Sequence, residues 1–269
     1  MEISAEAVAG AIATNPILGV IILLCLGATV VNGATDAPNA IATVVGTRAM
    51  RPGPAIIMAA ACNFIGMILI TMVSTAVAST IFGMVDFGGD NDAALIALQG
   101  GLSGVNFDQW AKVLYGLVIS TGLGFGTGWL FSRLIKVVCR GVSRRGANAF
   151  FKWAQIAAGA GVAMLHGAQD GQKFLSLTML AVMLGVYGTS SMEGFPIWMV
   201  VLVSLTMSFG TAVGGRKIIK SVGMNMVKMD QRQGFAACLS ACFCIGLATF
   251  TGMPVSTTHS SLCSFICWC

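Results

Sequence analysis

The stretch NGATDAPNAIATVVGT, residues 32–47, follows directly on the apolar run PILGVIILLCLGATVV, residues 16–31. An apolar run of this kind has nearly the length that crosses a membrane, since about 20 apolar residues span the hydrocarbon core. The polar stretch places Asp36 at the end of that run, and an aspartate at the centre of a bilayer costs about 2.5–3.5 kcal/mol on insertion scales. A carboxylate kept at such a cost indicates a functional site rather than a packing position.

The composition extends this interpretation to the whole chain. Of the 269 residues, 56% are hydrophobic and 9% are charged, and the mean hydropathy is +0.86. Soluble domains carry about 25% charged residues, so the sequence predicts a polytopic membrane protein that contacts the lipid bilayer. The net charge of +5 lies in short loops and does not indicate nucleic-acid binding. The predicted spans are 16–34, 55–82, 111–135, 154–188, 196–214 and 233–252, and 86–109 is predicted to be a loop with a short interfacial helix.

Two basic clusters predict the orientation and the division of the chain. The first contains Arg133, Lys136, Arg140, Arg144, Arg145 and Lys152, and the second contains Arg216, Lys217, Lys220, Lys228 and Arg232. The positive-inside rule places both in the cytoplasm. Residues 136–152 are therefore predicted to be a basic cytoplasmic loop between a first transmembrane half, 1–135, and a second, 153–269, which looks incomplete at its C-terminus.

A short internal repeat connects the two halves. LHGAQDGQKF, residues 165–174, matches VNGATDAPNA, residues 31–40, and places Asp170 at an offset of 134 from Asp36. Helical spacing aligns each aspartate with further polar residues: Asn32, Asn39, Thr43 and Thr47 in the first half, and His166 and Lys173 in the second. Interrupted helices at matching places in two halves are typical of transporter sites. The predicted fold is an all-α transmembrane bundle with two inverted repeats and discontinuous helices, 154–188 being interrupted at HGAQDGQK. The alternative to a transporter site is that these polar residues only form hydrogen bonds between buried helices.

The stretch TGMPVSTTHSS, residues 251–261, predicts a second kind of site. Pro254 should end the preceding helix, and Ser256 is a good N-cap for a new one. The free amides of a helix N-terminus favour anions, and Ser256, Thr257, Thr258 and His259 add side-chain donors. Two interpretations stay open: an oxyanion cradle, or a helix cap with hydroxyls bonded back to their own helix.

Metal binding and catalysis are weaker alternatives. His259, Cys263 and Cys267 share a helical face, but small packing residues explain them as well, and no CxxC pair supports a metal. Ser256 and His259 could suggest a hydrolase, yet no GxSxG elbow surrounds the serine. We therefore expect no enzyme, no organic cofactor and no metal beyond Na⁺.

Together these motifs resemble the inorganic phosphate transporter (PiT) family of cation-coupled symporters. The resemblance rests on GATDAPNA at 33–40, GAQDGQKF at 167–174, GGRKIIKSVGMNMVKMDQRQGFAA at 214–237 and GMPVSTTH at 252–259. It implies two inverted halves and import of phosphate by alternating access, driven by Na⁺ or H⁺. The compact loops and the lack of a recognisable targeting signal predict a bacterial plasma membrane. The implied cation-coupling residues are Asp36, Asp170, Asn39, Thr35 and Gln169. The implied phosphate-binding residues are Ser256, Thr257, Thr258 and Lys173.

The chain also departs from the family pattern. Thr35 and Gln169 replace the asparagine before each aspartate, and Lys173 replaces a neutral amide, which favours proton coupling or fewer sodium ions. No first-half PxSxxH element is found and the chain ends early, as in a truncated or internally deleted member. A sulfate or other oxyanion permease, a transport-incompetent fragment and a homodimer all stay open.

Overall fold

The computed structural model describes residues 3–84, 105–140, 144–187, 194–218 and 229–266. Their helices are α1 (Ala5–Thr14), α2 (Pro16–Thr35), α3 (Ala37–Gly46), α4 (Pro52–Val73), α5 (Ala76–Phe82), α6 (Phe107–Val138), α7 (Arg144–Val182), α8 (Ile197–Ile218), α9 (Gln231–Phe250) and α10 (Thr257–Ile266). The predicted all-α class is confirmed. Most of the predicted loop 86–109 lies outside the described residues, and its last residues begin α6.

Five of these helical segments are long and apolar enough to cross a membrane: Pro16–Gly46, Pro52–Val73, Phe107–Val138, Ile197–Gly215 and Gln231–Phe250. They correspond to five of the six predicted spans. Three helices end at breaks inside the fold: α2 at Asp36, α4 at Ser74 and α9 at Thr251. The predicted discontinuous helices are therefore present, although one of them was predicted at the wrong place.

The sixth predicted span forms α7, which runs unbroken through HGAQDGQK and continues as a π-helical turn, Met183–Tyr187. The predicted interruption is wrong. Its physical reason is that α7 contacts α2, α3, α4, α5, α8, α9 and α10. Buried polar side chains of α7 such as Gln169 and Gln172 find partners at the breaks between those helices. Their hydrogen bonds are therefore satisfied without a break in the backbone of α7. That stretch also lacks a proline, whereas Pro38 lies in the first turn of α3.

The basic segment 136–152 is more helical than predicted. Lys136 lies in the last turn of α6, and residues 144–152 form the first turns of α7. Near this end of the fold, the Arg133 guanidinium lies 5.4 Å from the Trp129 ring centroid. Tryptophan beside a basic residue is typical of a membrane–water interface, so the end of α6 and the start of α7 lie near one face of the membrane.

The internal repeat is visible in how the helices pack. Four glycines lie where a backbone carbonyl of a neighbouring helix leaves no room for a Cβ: Gly33 against Met207, Gly167 against Asn63, Gly66 against Met164, and Gly210 against Val30. Small residues at such crossings let membrane helices approach closely. Two of these pairs join α2 to α8, and the other two join α7 to α4.

These contacts repeat with constant offsets along the chain. Gly167 lies 134 residues after Gly33, and Met164 lies 134 after Val30. On the partner helices, Met207 lies 144 residues after Asn63. The helix that carries the repeated motif is α2 in the first half and α7 in the second. Each crosses a helix of the other half in an equivalent way, which supports a structural repeat. The inverted orientation of the two halves stays a prediction.

Candidate substrate and cation site

Asp36 occupies the single residue between α2 and α3. Its backbone N–H donates to the Asn32 carbonyl at 2.9 Å, and its carbonyl accepts the Asn39 N–H at 3.0 Å, so the break is a kink rather than an unwound segment. The Asn32 side-chain Nδ2 donates to Asp36 Oδ2 at 3.1 Å. The Asn39 Nδ2 donates to Thr258 Oγ1 at 3.4 Å, which joins this first-half element to α10.

Asp170 lies in the middle of α7 and is only 3% exposed. Its Oδ1 accepts from Lys173 Nζ at 2.7 Å, and its Oδ2 accepts from Thr257 Oγ1 at 3.0 Å. His166 Nδ1 lies 3.3 Å from the same Oδ2 and 3.0 Å from Thr257 Oγ1. Because the single hydroxyl proton of Thr257 serves Asp170, His166 Nδ1 is the donor to Thr257 in this arrangement. Asp170 is thus held by one ammonium, one hydroxyl and one imidazole.

His166 and Asn32 are equivalent in the repeat, each four residues before an aspartate. Each uses one side-chain atom toward its aspartate and leaves another buried atom, His166 Nε2 or Asn32 Oδ1, with no hydrogen-bond partner among the described residues. Buried polar atoms are nearly always paired in native proteins, with protein or with water. These two atoms are therefore candidates to bind a transported ion. The sequence placed His166 on the polar stripe but gave it no role in the site.

The two halves differ at the third position of the stripe, where Asn39 corresponds to Lys173. Lys173 Nζ pairs with Asp170 and also donates to the Val255 carbonyl. Within the described part of the chain, Asp36 has no cationic partner at ion-pair distance and accepts from the neutral Asn32 amide. Asp170 thus has a direct cationic partner among the described residues, whereas Lys173 and His166 act on Asp36 only from a greater distance.

The predicted cradle lies at the N-terminus of α10. Ser256 Oγ accepts the His259 backbone N–H at 3.3 Å and lies 2.7 Å from His259 Nδ1, which confirms the predicted N-cap. The Thr257 hydroxyl donates across to Asp170 and not back to its own helix. This contact contradicts back-bonding for Thr257, and it engages the Thr257 proton with Asp170.

A cavity of about 380 Å³ brings these groups together. Its polar lining consists of Asn32, Asp36, Asp170, Lys173, Ser256 and Thr257. A second, tighter space touches Asp36, Asn39, His166, Thr257, Thr258 and Ser261. Asp36 and Thr257 border both. The structure therefore brings together seven of the nine residues implied by the resemblance.

The other two implied residues, Thr35 and Gln169, do not join the cluster. Thr35 is exposed, and its hydroxyl donates to the Val31 carbonyl at 2.9 Å. Gln169 Nε2 donates to the Met253 carbonyl at 2.8 Å, and its Oε1 accepts from Thr249 Oγ1 at 2.8 Å. The physical reason is helical geometry, since a residue next to an aspartate is rotated by about 100° from it. The cation-coupling role implied for these two residues stays a prediction, and both side chains have protein partners outside the cluster.

The described residues hold no group of three or more His, Cys, Asp and Glu side chains that could bind a metal ion. His259 is exposed and its Nδ1 pairs with Ser256, while Cys267 lies outside the described residues. The conceivable metal site at the C-terminal end thus receives no support from His259.

A helical membrane bundle with broken helices and two carboxylates at a polar cavity, Asp170 buried and Asp36 half-buried, is typical of a transporter site. The chain belongs to the phosphate transporter family, whose family model matches residues 32–98 and 139–268. This confirms the resemblance seen in the sequence motifs. With several apolar helices and bacterial relatives, it is a multi-pass protein of the plasma membrane.

The comparisons with individual proteins agree. A Bacillus subtilis protein named "Probable low-affinity inorganic phosphate transporter" is 28% identical over 277 residues, covering 90% of this chain and 83% of the relative. A Mycobacterium tuberculosis protein of the same name is 29% identical over 281 residues, covering 90% of this chain and 66% of that protein. A solved structure described as "The sodium-dependent phosphate transporter" superposes with a TM-score of 0.78 at 19% identity, over 93% of this chain and 88% of that chain. The last comparison shows a shared fold.

Proposed function

We propose that this protein imports inorganic phosphate together with a cation, Na⁺ or H⁺, by alternating access around the Asp36–Asp170 cluster. The observation that carries the proposal is the meeting of two carboxylates and a helix N-terminus at one cavity. Phosphate is recognised by hydroxyl donors and free amides at such a terminus. Ser256, Thr257 and Thr258 bring hydroxyls to the site, and binding phosphate requires the Thr257 hydroxyl and the Lys173 ammonium to turn at least partly from Asp170 to the anion.

The carboxylates explain why a cation should accompany the anion. Phosphate monoanion or dianion entering beside an unpaired Asp36 is repelled, and this repulsion is strong where water is scarce. A proton on Asp36, or a Na⁺ beside it, removes that repulsion. Asn32 Oδ1, which lies beside Asp36 without a partner among the described residues, is a suitable oxygen for Na⁺. Phosphate binding therefore becomes dependent on cation binding.

Alternating access requires the cluster to be closed from one side of the membrane at a time. The cavity is bordered by Ile81 and by Val113, Leu114 and Leu117 in the N-terminal part of α6. Gln155 Nε2 donates to the Thr43 carbonyl at 3.0 Å, and Thr47 Oγ1 donates to Gln155 Oε1 at 2.9 Å, which joins α3 to α7. Gln155 lies near the basic start of α7, so this contact is the proposed closure toward the predicted cytoplasm.

Phosphate fits the cavity better than sulfate, the alternative substrate. At neutral pH phosphate keeps at least one hydroxyl that can donate to an aspartate, whereas sulfate has none and would leave a carboxylate facing it unpaired. Sites built around such a hydrogen bond reject analogues that lack it by up to about 10⁴–10⁵-fold. Uptake of labelled phosphate into proteoliposomes should persist in excess sulfate and stop in excess unlabelled phosphate. Equal inhibition by the two anions would instead indicate a general oxyanion permease.

Lys173 provides a test of how many cations are coupled. Because its ammonium already neutralises Asp170, we expect Lys173→Asn to make uptake depend more steeply on Na⁺ or H⁺, since Asp170 then needs an added cation. Asn at this position also reproduces Asn39 of the first half. The measurement is phosphate uptake into proteoliposomes over a range of Na⁺ concentration and of pH.

The matched control is Lys152→Asn, which removes the same charge from an exposed position on the same helix. It should leave the cation dependence of the parent protein unchanged. An identical cation dependence in the parent and in Lys173→Asn would refute this role for Lys173.

A further inference from the structure

Two buried glutamines, Gln169 and Gln172, flank Asp170 on α7, and both are 0% exposed. Each makes hydrogen bonds through both the oxygen and the nitrogen of its amide, and the partners lie at or next to a break between two other helices. Gln172 Oε1 accepts the Ala78 N–H at 3.2 Å, and its Nε2 donates to the Ser74 carbonyl at 2.8 Å, so it holds the break between α4 and α5. Gln169 holds the break between α9 and α10 through Met253 and Thr249.

The second break carries the phosphate cradle. Its residues Met253 and Val255 present backbone carbonyls that no helix satisfies, and Pro254 between them has no N–H to offer. A buried carbonyl without a partner is costly, so these two need donors. Gln169 supplies one for Met253 and Lys173 supplies one for Val255. Two residues further along, Thr257 donates to Asp170.

α7 thus fixes the segment before the cradle at three points, of which Gln169 holds the first. The Met253 carbonyl can only accept, so it fixes Gln169 Nε2 toward itself and Oε1 toward Thr249 Oγ1, whose single proton is shared between Oε1 and the Ile245 carbonyl, each at 2.8 Å. Both polar atoms of Gln169 thus face protein partners rather than the cavity lined by Asp36 and Asp170.

We infer that Gln169 is a positioning residue for phosphate: it acts through the Met253 carbonyl to set where Ser256, Thr257 and Thr258 lie, and it is not a ligand of the coupled cation. The inference rests on the proposed function in that it assumes the cradle binds phosphate. It assigns to Gln169 control of phosphate affinity.

The test is Gln169→Met, which keeps about the size of the side chain, removes the donor to Met253 and adds no charge. The Kd of purified protein for labelled inorganic phosphate should rise about 5- to 150-fold, the effect of leaving one buried group unsatisfied. The half-saturating cation concentration, measured at saturating phosphate, should stay within about twofold of the parent value, well under the tenfold change that 1.4 kcal/mol would bring. A cation ligand would behave in the opposite way, because losing its oxygen would weaken cation binding.

Gln172→Met is the matched control, since it makes the same change on the same helix at the break that lacks the cradle. It should lower the melting temperature in detergent without raising the Kd for phosphate. Thr249→Val is a milder second variant, which keeps the Met253 bond but removes the hydroxyl beside Gln169 Oε1, so its Kd should rise less than that of Gln169→Met. If Gln169→Met does not fold, Thr249→Val decides the matter.

The outcomes separate the inference from the proposed function. A parent protein that binds phosphate but does not accumulate it in liposomes contradicts the transport proposal alone. An unchanged Kd in Gln169→Met overturns the inference alone, and so does a half-saturating cation concentration that rises tenfold or more. A parent protein that binds no phosphate overturns both.

Discussion

Asp36→Asn is expected to abolish phosphate accumulation while the protein still inserts and folds. Asn has nearly the same shape, and the partner of Asp36, the Asn32 amide, is neutral, so the substitution leaves no buried charge unpaired. What is lost is the negative charge that a proton or Na⁺ must neutralise during transport. Hydrogen bonds and contacts to charged groups are worth about 1.5–3 kcal/mol, which corresponds to a loss of about 10- to 150-fold in cation-dependent uptake.

Asp170→Asn is expected to lose uptake and stability together. It leaves the Lys173 ammonium and His166 without their acid, and removing one member of a buried charge pair costs about 3–5 kcal/mol. The difference between the two variants follows from the asymmetry between Asn39 and Lys173.

Both variants are compared with the parent by uptake into proteoliposomes and by thermal unfolding in detergent. Asp108→Asn is the control, because Asp108 is an exposed acid in the first turn of α6. It should behave as the parent does. Normal uptake by both Asp36→Asn and Asp170→Asn would show that neither carboxylate takes part in coupling.

Gly33→Ala is expected to prevent stable folding. A Cβ at this position collides with the backbone carbonyl of Met207, and neither backbone can move without separating α2 from α8. Overpacking of a well-packed core typically costs about 1–3 kcal/mol, and a backbone collision lies at the upper end or beyond. The measurement is the yield and the melting temperature of monodisperse protein in detergent.

Gly27→Ala is the matched control on the same helix, because open space surrounds the position of its Cβ. It should be neutral or slightly stabilising, since Ala favours a helix over Gly by about 1 kcal/mol. Gly167→Ala should fail like Gly33→Ala because it occupies the equivalent crossing. Equal stability of Gly33→Ala and Gly27→Ala would contradict the close packing described above.

The sequence was informative where polarity conflicts with the membrane. Asp36 and Asp170 were identified because a carboxylate in an apolar segment needs an explanation, and helical spacing then brought in Asn39 and Lys173. The helix start at Ser256 followed from Pro254 and from ordinary capping chemistry. All of these signals are local, and the structure places these residues around the cavity and the tighter space beside it, which share Asp36 and Thr257.

The errors concern contacts between distant parts of the chain. Gln169 and Gln172 look like residues of a broken helix, but their partners Met253 and Ser74 lie 84 and 98 residues away. Composition alone cannot show that such partners exist, so the continuity of α7 was not predictable. His166 could have been found from its offset of 134 to Asn32, since both precede an aspartate by four residues.

The central claim is that the energy of a cation gradient drives phosphate through this protein. The most direct measurement is uptake of labelled phosphate by liposomes that contain only the purified parent protein, under an imposed Na⁺ gradient and, separately, an imposed H⁺ gradient. We expect phosphate to accumulate above its external concentration under at least one gradient and to leak out when an ionophore dissipates it. Folded protein that accumulates no phosphate under either gradient would contradict the account.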